Sequence, residues 1–438
     1  MRHTNRPPRT GLAITALLGT AALAATPAMA QSTGQNTTSI EDEVVLGGQD
    51  NIWDMALLDD GTMLFTEICH GLSVMMPDGE VTELLGMGAN DEDVSGYATV
   101  ADDLFCDGQA GMNGVAFDPD FEENRRIYVY SASEMSDPPT NRVMRFTLDE
   151  EFSNVADRTD IIENIPYKTE ATDHPFGETG AHNGGRIRFG PEGNLWVTTG
   201  DNHNPELPQS PTELGSKVLR IDTDGNAVEG NDPPEGFDPR TYTYGHRNTQ
   251  AIAFHPETGD AIIGEHGPWH SDEITVLENG GNGGWDPRDN MAGRGDCPDD
   301  YCGYMPNQME GMNRFERAAF MPMTDFQTYP DAMPPIWDNN GWSQGISSMA
   351  FLEGAEWGDW EDNLVVSYMG IGFGGTPLGQ RIDVMDLSVN DAGEISVNDV
   401  TEMTLPMEPG RFRALVQGPD GSLYVAISEG EVHRFSPG

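Results

Sequence analysis

Basic residues, and lysine above all, are scarce in this sequence. Only two lysines, Lys168 and Lys217, occur in 438 residues, and 23 basic residues face 73 acidic ones, which gives a net charge of −50. Long-range repulsion therefore disfavours nucleic acid and anionic membrane surfaces as partners. A carboxylate surface with few lysines is typical of proteins that work in high salt, where screening weakens self-repulsion. Disorder is disfavoured, because 17 Phe, 11 Tyr and 8 Trp residues are spread along the chain.

Long apolar runs are also missing, apart from one near the N-terminus. Residues 11–25 are apolar but too short to span a membrane comfortably, basic residues precede them, and Ala28-Met29-Ala30 offers a small-residue cleavage site. The pattern predicts a cleaved secretory leader over 1–30, a flexible segment over 31–44 and one folded domain over 45–438. We therefore expect a secreted or periplasmic protein without membrane insertion.

Cysteine is limited to four residues, which in an exported chain suggests disulfides. Cys297 and Cys302 bracket a short polar loop, and their proximity favours a bond between them. That pairing leaves Cys69 with Cys106. The other connectivities stay open, and a metal site is the rival for the C-x4-C pair, although no second pair follows at metal-finger spacing.

Long helical periodicity is absent, and short alternating strands joined by turns take its place. A unit made of an apolar strand, a turn such as P-E-G or P-D-G, and a second β-branched or aromatic strand recurs six times. The copies begin at residues 51, 111, 183, 250, 345 and 411. Repetition at this spacing is typical of propeller blades, each of which buries its faces against its neighbours. We predict an all-β, six-bladed β-propeller with four-stranded antiparallel blades and long loops on the site face.

The chemically distinctive residues stand next to the ends of the predicted inner hairpins. Equivalent loop positions converge on the axis of a propeller, so these residues are expected to face one pocket. They are Gln109, His182, Arg247, Asn248, His266, Gly267, Pro268, Arg411 and Arg413. The non-functional alternatives are that His182 is an ordinary turn residue and that Arg411 and Arg413 pair with surface acids. Three more histidines, His70, His203 and His270, are expected near blade edges, without an assigned role.

Several motifs in this chain resemble one family. They include GQAGMNG from 108, HNGGRIRFGPEGNLWVTTGD from 182, YGHRN from 244, GEHGPWHSDEI from 264, NGGNGGW from 279 and RFRALVQGPDGSLYV from 411. Their order and content are similar to those of the soluble aldose dehydrogenases that depend on pyrroloquinoline quinone (PQQ), the glucose/sorbosone dehydrogenase family. The resemblance covers most of residues 50–430 and implies the same six-bladed fold.

The resemblance also implies a reaction. The C1 hydroxyl of an aldose, or of a sorbosone-like sugar, would be oxidised to a lactone or acid by hydride transfer to PQQ. His182 would be the general base, Gln109 its neighbour at the substrate, and Arg247 the arginine beside the reactive quinone carbonyl. Electrons would then pass to an acceptor protein or quinone.

The remaining site residues are assigned to the cofactor and its metal in the same way. Arg411 and Arg413 match the carboxylates of PQQ in charge and geometry, and Asn248 and His266 would be further cofactor contacts. The backbone carbonyls of Gly267 and Pro268 would bind Ca²⁺, which prefers oxygen ligands.

Two positions depart from the family pattern. Ala181 stands where glucose-oxidising members carry an acid that orients the histidine, so Glu178, Asp201 or a backbone carbonyl is expected to replace it. The loop after the fifth hairpin lacks the family's lysine, and Arg381 is the candidate substitute. Two alternative functions therefore stay open: a calcium-dependent lactonase, and a propeller that has lost the cofactor and binds a glycan or protein.

Overall fold

The described part of the protein forms six β-sheets, which are antiparallel apart from one parallel pair in the first sheet. The computed structural model describes residues 39–90, 92–169, 179–288, 321–371 and 378–438. The innermost strand of each sheet contacts the innermost strands of both neighbouring sheets, so the six sheets close into a ring. The predicted six-bladed propeller is confirmed.

The first three blades follow the chain from the inner strand outward. Blade 1 contains β2 (Ile52–Leu57), β3 (Met63–Glu67), β4 (Gly71–Met75), β5 (Val81–Met87) and β6 (Thr99–Ala101). Blade 2 contains β7 (Met112–Phe117), β8 (Arg126–Ser133), β9 (Thr140–Leu148) and β10 (Val155–Pro166). Blade 3 contains β11 (Ile187–Phe189), β12 (Leu195–Thr198), β13 (Lys217–Ile221) and β14 (Thr241–Tyr244).

The other three blades have the same order, except that the last one borrows a strand. Blade 4 contains β15 (Thr249–Phe254), β16 (Ala261–Glu265), β17 (Glu273–Val276) and β18 (Trp337–Asp338). Blade 5 contains β19 (Ile346–Phe351), β20 (Leu364–Tyr368), β21 (Arg381–Val389) and β22 (Ile395–Glu402). Blade 6 contains β23 (Phe412–Gln417), β24 (Leu423–Ile427), β25 (Glu431–Pro437) and β1 (Ile40–Leu46).

Two details correct the sequence-based prediction. Blade 1 has a fifth strand, β6, which pairs in parallel with β5, whereas four strands were predicted. The predicted boundary between a flexible segment and the propeller at residue 45 is also wrong, because β1 pairs antiparallel with β25 from Ile40 onward. The strand had no partner nearby in sequence, so local pattern alone could not reveal it. This pairing of the two chain ends closes the ring.

The hydrophobic core lies between neighbouring blades. Leu64 and Leu72 of blade 1 pack in one buried cluster with Ile127, Val129 and Met144 of blade 2, and similar clusters join the other blades. Helix is sparse in the described ranges, which contain α1 (Phe121–Asn124) and a 3-10 segment (Ala355–Trp360). Within those ranges no helix is long and apolar enough to cross a membrane.

The disulfide predicted between Cys69 and Cys106 is confirmed. It joins the end of the first hairpin of blade 1 to the loop before β7, with the two Cα atoms 5.1 Å apart. Cys297 and Cys302 lie outside the described residues, so the bond between them stays a prediction. Residues 1–38, with the predicted leader, also lie outside them.

One buried ion pair joins all six blades at the axis. Arg186, immediately before β11, contacts Asp54 of blade 1 and stacks over the Trp53 ring with its Cζ atom 4.2 Å from the ring centre. Asp54 is fully buried and accepts the Val115 amide of blade 2 at 3.1 Å. Three more bonds from Arg186 end on the carbonyls of Gln250 in blade 4 (3.0 Å), Ser347 in blade 5 (2.9 Å) and Arg413 in blade 6 (2.8 Å).

The charges of this pair are balanced by their surroundings. Burial alone would raise the pKa of Asp54, but Arg186 and Arg188 lower it below its ordinary value. Burial lowers the pKa of Arg186 to about 10, against the attraction of Asp54. Both groups are therefore ionised at neutral pH. Each has a counter-charge and hydrogen-bond partners, which offset the cost of burying a charge.

Replacing Arg186 with methionine should destabilise the whole ring. Arg186→Met keeps most of the side-chain volume but leaves three carbonyls without this donor and Asp54 with only Arg188 as a counter-charge. We expect a loss of about 3–5 kcal/mol in the free energy of unfolding, measured by urea denaturation. The control is Arg434→Met, which removes a surface arginine paired with Glu43 and Asp420 and should cost at most about 1 kcal/mol. Equal losses in the two variants would contradict a special role for Arg186.

Candidate active site

The loops that lead into the inner strands bring the predicted residues together. The Gln109 side-chain oxygen accepts the backbone amide of His182 at 3.3 Å, and the Asn248 side-chain oxygen accepts that of Gly184 at 3.2 Å. Arg247 Nη2 lies 3.1 Å from His182 Nε2. Residues from the entrances of blades 2, 3 and 4 thus meet in one cluster, as the repeat positions predict.

Two glycines explain how the His182 loop reaches this position. A Cβ atom on Gly200 would come within 2.0 Å of the His182 carbonyl oxygen, and one on Gly184 would come within 2.5 Å of the Thr199 backbone. Gly184 also has a φ of 62°, which glycine adopts at little cost. The HNGG and TTGD segments therefore lie against each other because glycine allows the close approach, and Asp201 follows directly after Gly200.

Asp201 takes the orienting position that Ala181 leaves open. His182 is buried, and its Nδ1 atom lies 2.6 Å from Asp201 Oδ1. The other oxygen of Asp201 accepts the indole N–H of Trp285 at 2.8 Å. Burial raises the pKa of Asp201, while Arg247, His203 and these hydrogen bonds oppose that rise. The bond to Asp201 favours the tautomer with hydrogen on Nδ1 and leaves the lone pair of His182 on Nε2. Glu178, the other expected carboxylate, lies outside the described residues.

Arg247 is held from two sides while its guanidinium faces the histidine. It is buried, its Nη1 atom donates to the His266 carbonyl at 2.8 Å, and its Cζ atom lies 5.8 Å from the Trp285 ring centre. These contacts fix the position of a cation beside His182 Nε2, where a substrate oxygen would also have to lie.

His266 is neutral at any pH near 7. Its Nε2 atom lies 2.6 Å from the Ile346 carbonyl, which only accepts, so Nε2 carries the hydrogen. Nδ1 is then an acceptor, 3.5 Å from the side-chain nitrogen of Asn248. Burial lowers the pKa of His266 to about 3, and Arg247, Arg413 and Arg411 lower it as well. The shared influence of the three arginines shows that all of them lie close to His266.

Arg411 and Arg413 enter the same region from blade 6. Arg413 is buried, and its Nε atom donates to the Ser428 hydroxyl at 2.9 Å, whereas Nη1 meets the Met369 sulfur, a weak acceptor, at 2.9 Å. Burial lowers the pKa of Arg413 well below its ordinary value, and the neighbouring Arg411 and Arg186 lower it further. The guanidinium groups of Arg411 and Arg413 therefore influence each other, and Glu429 is the acid that opposes this lowering.

The Gly267-Pro268 turn is fixed by a buried carboxylate. Asp272 accepts the amide of Gly267 at 3.0 Å, the hydroxyl of Ser343 at 2.6 Å and the amides of Gln344 and Gly345 at 2.7 and 3.0 Å. Burial raises the pKa of Asp272, against these four bonds. Asp272 therefore works as a structural acceptor that fixes the turn, and its oxygens are already engaged.

Arg381 has a carboxylate of its own. Its Nε and Nη2 atoms donate to Asp383 at 2.8 and 2.9 Å, and its Cζ atom lies 4.3 Å above the Tyr368 ring. A guanidinium that is already paired is a poor replacement for the family's lysine. Residues 372–377 of the same loop lie outside the described residues.

Two contributors have a role that the sequence did not assign. Trp285 ends the NGGNGGW motif and fixes Asp201, and His203 lies against His182 with its Nε2 atom 2.8 Å from His182 Nε2. A signal for His203 existed, because it stands two residues after Asp201, but polar loop histidines are too common to single one out. His70, by contrast, pairs with Asp50 at 3.2 Å.

Comparisons with known proteins agree with this fold. A family model described as glucose/sorbosone dehydrogenase matches residues 49–293. The chain is 26% identical over 403 residues to the aldose sugar dehydrogenase YliI of Escherichia coli, covering 90% of this chain and 92% of that one. It is 30% identical over 213 residues to quinoprotein glucose dehydrogenase B of Acinetobacter calcoaceticus, covering 43% and 41%. The PQQ-bound aldose sugar dehydrogenase of Streptomyces coelicolor superposes with a TM-score of 0.64 at 21% identity, over 91% of this chain and 98% of that one.

The neutral state of His266 predicts a loss of stability in acid. The unfolded chain binds a proton at this imidazole near pH 6.5, whereas the folded chain does so only near pH 3. Stability is therefore lost as the pH falls from 6.5 towards 3. At pH 4 protonation of this imidazole in the unfolded chain should lower the free energy of unfolding by about 3 kcal/mol.

The matched variant is His266→Gln, whose side-chain amide can still donate to Ile346. We expect the fall in the free energy of unfolding between pH 7 and pH 4 to be smaller in this variant than in the unsubstituted protein, as measured by urea denaturation at both pH values. The same fall in both proteins would show that His266 takes up protons equally in the folded and unfolded chains.

Proposed function

Because the chain belongs to the glucose/sorbosone dehydrogenase family, we propose that it is a PQQ-dependent dehydrogenase of aldoses or sorbosone-like sugars. The reaction would convert the C1 hydroxyl of the sugar to a lactone or acid. The observation that carries this proposal is a buried histidine that is hydrogen-bonded to a carboxylate and contacted by an arginine.

His182 is the proposed general base. With Nδ1 bound to Asp201, Nε2 of His182 is the ring nitrogen that would accept the proton of the C1 hydroxyl, once the sugar oxygen takes its place beside Arg247. Asp201 holds the ring in place and stabilises the imidazolium that results, and Trp285 holds Asp201. Gln109, which accepts the backbone amide of His182, and Arg247, which lies beside Nε2, would bind the sugar oxygens.

The residues of the pocket fit PQQ, which when bound supplies the hydride acceptor. PQQ is a flat tricarboxylate, and guanidinium groups bind carboxylates through paired hydrogen bonds. Arg411, Arg413 and Arg247 all lower the pKa of His266, so they form one cationic cluster in a protein whose net charge is −50. His266 and Asn248 would be neutral polar contacts at the edge of this cluster.

Calcium would bind at the Gly267-Pro268 turn. Within the described ranges no group of three or more His, Cys, Asp or Glu side chains could hold a metal ion. Backbone carbonyls are ligands that Ca²⁺ accepts, and Asp272 fixes the turn that presents them. The carbonyls of Gly267 and Pro268 would therefore hold Ca²⁺, which would supply positive charge beside the cofactor.

Export and electron transfer complete the proposal. The N-terminal pattern over residues 1–30 supports cleavage and a secreted or periplasmic location, where free sugars are available. The electrons would leave to an acceptor protein or quinone. An acidic surface favours an acceptor with a basic docking face.

Binding of PQQ should depend on Arg413. We expect the metal-stripped protein to bind PQQ in a calorimetric titration, and more tightly with calcium than without it. Arg413→Met should weaken this binding at least about tenfold, because a charge-assisted hydrogen bond is lost. Arg434→Met is the control, since it removes one surface arginine elsewhere and should leave the affinity unchanged. Failure of the unsubstituted protein to bind PQQ at any calcium concentration would contradict the proposed function.

Oxidation of sugars should depend on His182. His182→Asn preserves the backbone conformation, since asparagine tolerates the φ of 51° found here, but it removes the base. In the presence of PQQ and calcium, kcat for dye reduction with aldoses should fall about 10²–10⁴-fold while PQQ still binds. His70→Asn serves as the control and should keep full activity. Equal activity of His182→Asn and the unsubstituted protein would exclude His182 as the base.

A further inference from the structure

A groove lies between blades 3 and 4, at the end of the blades away from the candidate active site. Its walls include the turn between β11 and β12, with Pro191 and Glu192, and the turn at 256–261 between β15 and β16. Each of these turns joins an inner strand to the second strand, whereas the site residues stand before inner strands or after second ones. The groove has a volume of about 460 Å³, as small-molecule pockets have. We call it the blade 3/4 groove.

Three side chains from successive strands of blade 3 line this groove. Trp196 of β12 pairs with Arg220 of β13 in the antiparallel ladder, and Tyr242 lies on β14, the outermost strand. The Arg220 Cζ atom lies 4.9 Å from the Tyr242 ring centre and 5.7 Å from that of Trp196. Attraction between the cation and the two rings holds these side chains together, so the lining is preformed.

Arg220 is largely buried but uses only part of its hydrogen-bonding capacity. Its side chain is 12% exposed, and its Nε atom donates to Asn231 Oδ1 at 2.8 Å. Glu192 Oε2 is 3.8 Å from Nη1, which is too far for a hydrogen bond. In the part of the chain that the structure describes, no acceptor is hydrogen-bonded to Nη1 or Nη2. The N–H groups on these two atoms are therefore available to a ligand, and a guanidinium can bind two neighbouring oxygens at once.

Trp196 offers a further donor at the groove. It is 7% exposed, and its ring packs against Tyr242 and Phe254, with ring centres 4.5 and 5.6 Å away. A buried indole N–H usually has a hydrogen-bond partner, but Nε1 of Trp196 has none among the described residues. A Cβ atom on Gly190 would come within 2.6 Å of this nitrogen, so glycine at that position leaves the N–H uncovered.

Charges of both signs surround these donors. Burial raises the pKa of the Tyr242 hydroxyl, and Arg220 opposes this rise. Asp260 and Glu192 add to the rise, so two carboxylates also lie near this hydroxyl. The guanidinium disfavours a cationic ligand, and the carboxylates, in a chain of net charge −50, disfavour an anionic one. A neutral ligand with several hydroxyl groups suits the groove, because a hydroxyl can accept from the guanidinium or indole and donate to a carboxylate.

We propose that the blade 3/4 groove binds a sugar ring of a neutral glycan. Arg220 would bind two adjacent hydroxyl oxygens, Trp196 Nε1 would donate to a third, and Asp260 would accept a hydroxyl hydrogen. Because the groove lies at the far end of the blades, a bound glycan would leave the candidate active site open. The inference goes beyond the proposed function, since it involves no oxidation, no cofactor and no residue of that site.

The first test uses the protein without PQQ or calcium and a sugar without a C1 hydroxyl. Methyl α-glucoside is titrated into the 15N-tryptophan-labelled protein, with the indole signals of Trp196 and Trp285 assigned through Trp196→Phe and Trp285→Phe. Trp285 contacts Asp201 and therefore reports on the candidate active site. We expect the Trp196 signal to shift in a saturable way, whether or not the Trp285 signal moves.

Three results of this titration would overturn the proposal. The first is no shift of the Trp196 signal at any soluble concentration of the glucoside. The second is a shift of the Trp285 signal alone, which would place sugar binding only at the candidate active site. The third is a shift of the Trp196 signal with sodium sulfate and not with the glucoside, which would make the groove an anion site.

The second test measures the Kd of the glucoside from the Trp196 signal in variants. Arg220→Met should raise the Kd at least about tenfold, because charge-assisted hydrogen bonds are lost. Gly190→Ala leaves Arg220 in place but puts a methyl group against Nε1, and should raise the Kd about threefold or more. Arg434→Met, which removes a surface arginine between blades 6 and 1, is the control and should keep the Kd within about twofold.

The same Kd in Arg220→Met, Gly190→Ala and Arg434→Met would show that the glucoside binds elsewhere and would overturn the proposal. Neither test involves turnover. Failure of glucoside binding at the groove would therefore leave the proposed dehydrogenase standing, and failure to oxidise sugars would leave the result at the groove unchanged.

Discussion

The buried pair of Arg186 and Asp54 is the constraint on which the ring depends. Between them the two side chains contact strands or loops of all six blades, through charge, backbone carbonyls, an amide and one aromatic face. The cores between neighbouring blades are hydrophobic and non-directional, so they hold adjacent sheets together without fixing the angle of all six about the axis. The planar guanidinium of Arg186 has several hydrogen-bond donors in fixed directions, and these can set the angles of the blades about the axis.

The position of the site follows from the same pair. Arg186 lies four residues after His182 in the chain. It donates to the carbonyl of Gln250, which lies three residues after Arg247. In blade 6 it donates to the carbonyl of Arg413 itself. The strands that Arg186 ties together are therefore those that deliver the base, its neighbouring cation and the proposed carboxylate-binding arginine. Distances near 3 Å between side chains from different blades need such an anchor, because small rotations of one blade would separate them.

How much of this could be predicted from the sequence depends on distance along the chain. Six hairpins were predictable because alternation and turn residues are local, and the site residues were predictable because their motifs occupy equivalent positions. The outer strand Ile40–Leu46 was not predictable, because its partner β25 lies almost 400 residues away in the chain. Such a pairing produces no pattern in the neighbouring sequence. Trp285 and His203 were not assigned for the same reason: each acquires its role only from a neighbour brought close by folding, Asp201 for the one and His182 for the other.

The arginines of the candidate site are opposite in charge to the molecule as a whole, which is strongly negative. The chain has a net charge of −50, yet Arg247, Arg411 and Arg413 all lie near His266. Burial, and then these arginines, lower the pKa of His266 and keep it unprotonated. Such a cluster suits the proposed anionic cofactor and at the same time disfavours a positive charge on the imidazole beside it. The proposed base would become an imidazolium in this environment and needs a counter-charge, which Asp201 provides at 2.6 Å. Burial of Asp201 beside His182 is therefore what allows a histidine to work as a base among arginines.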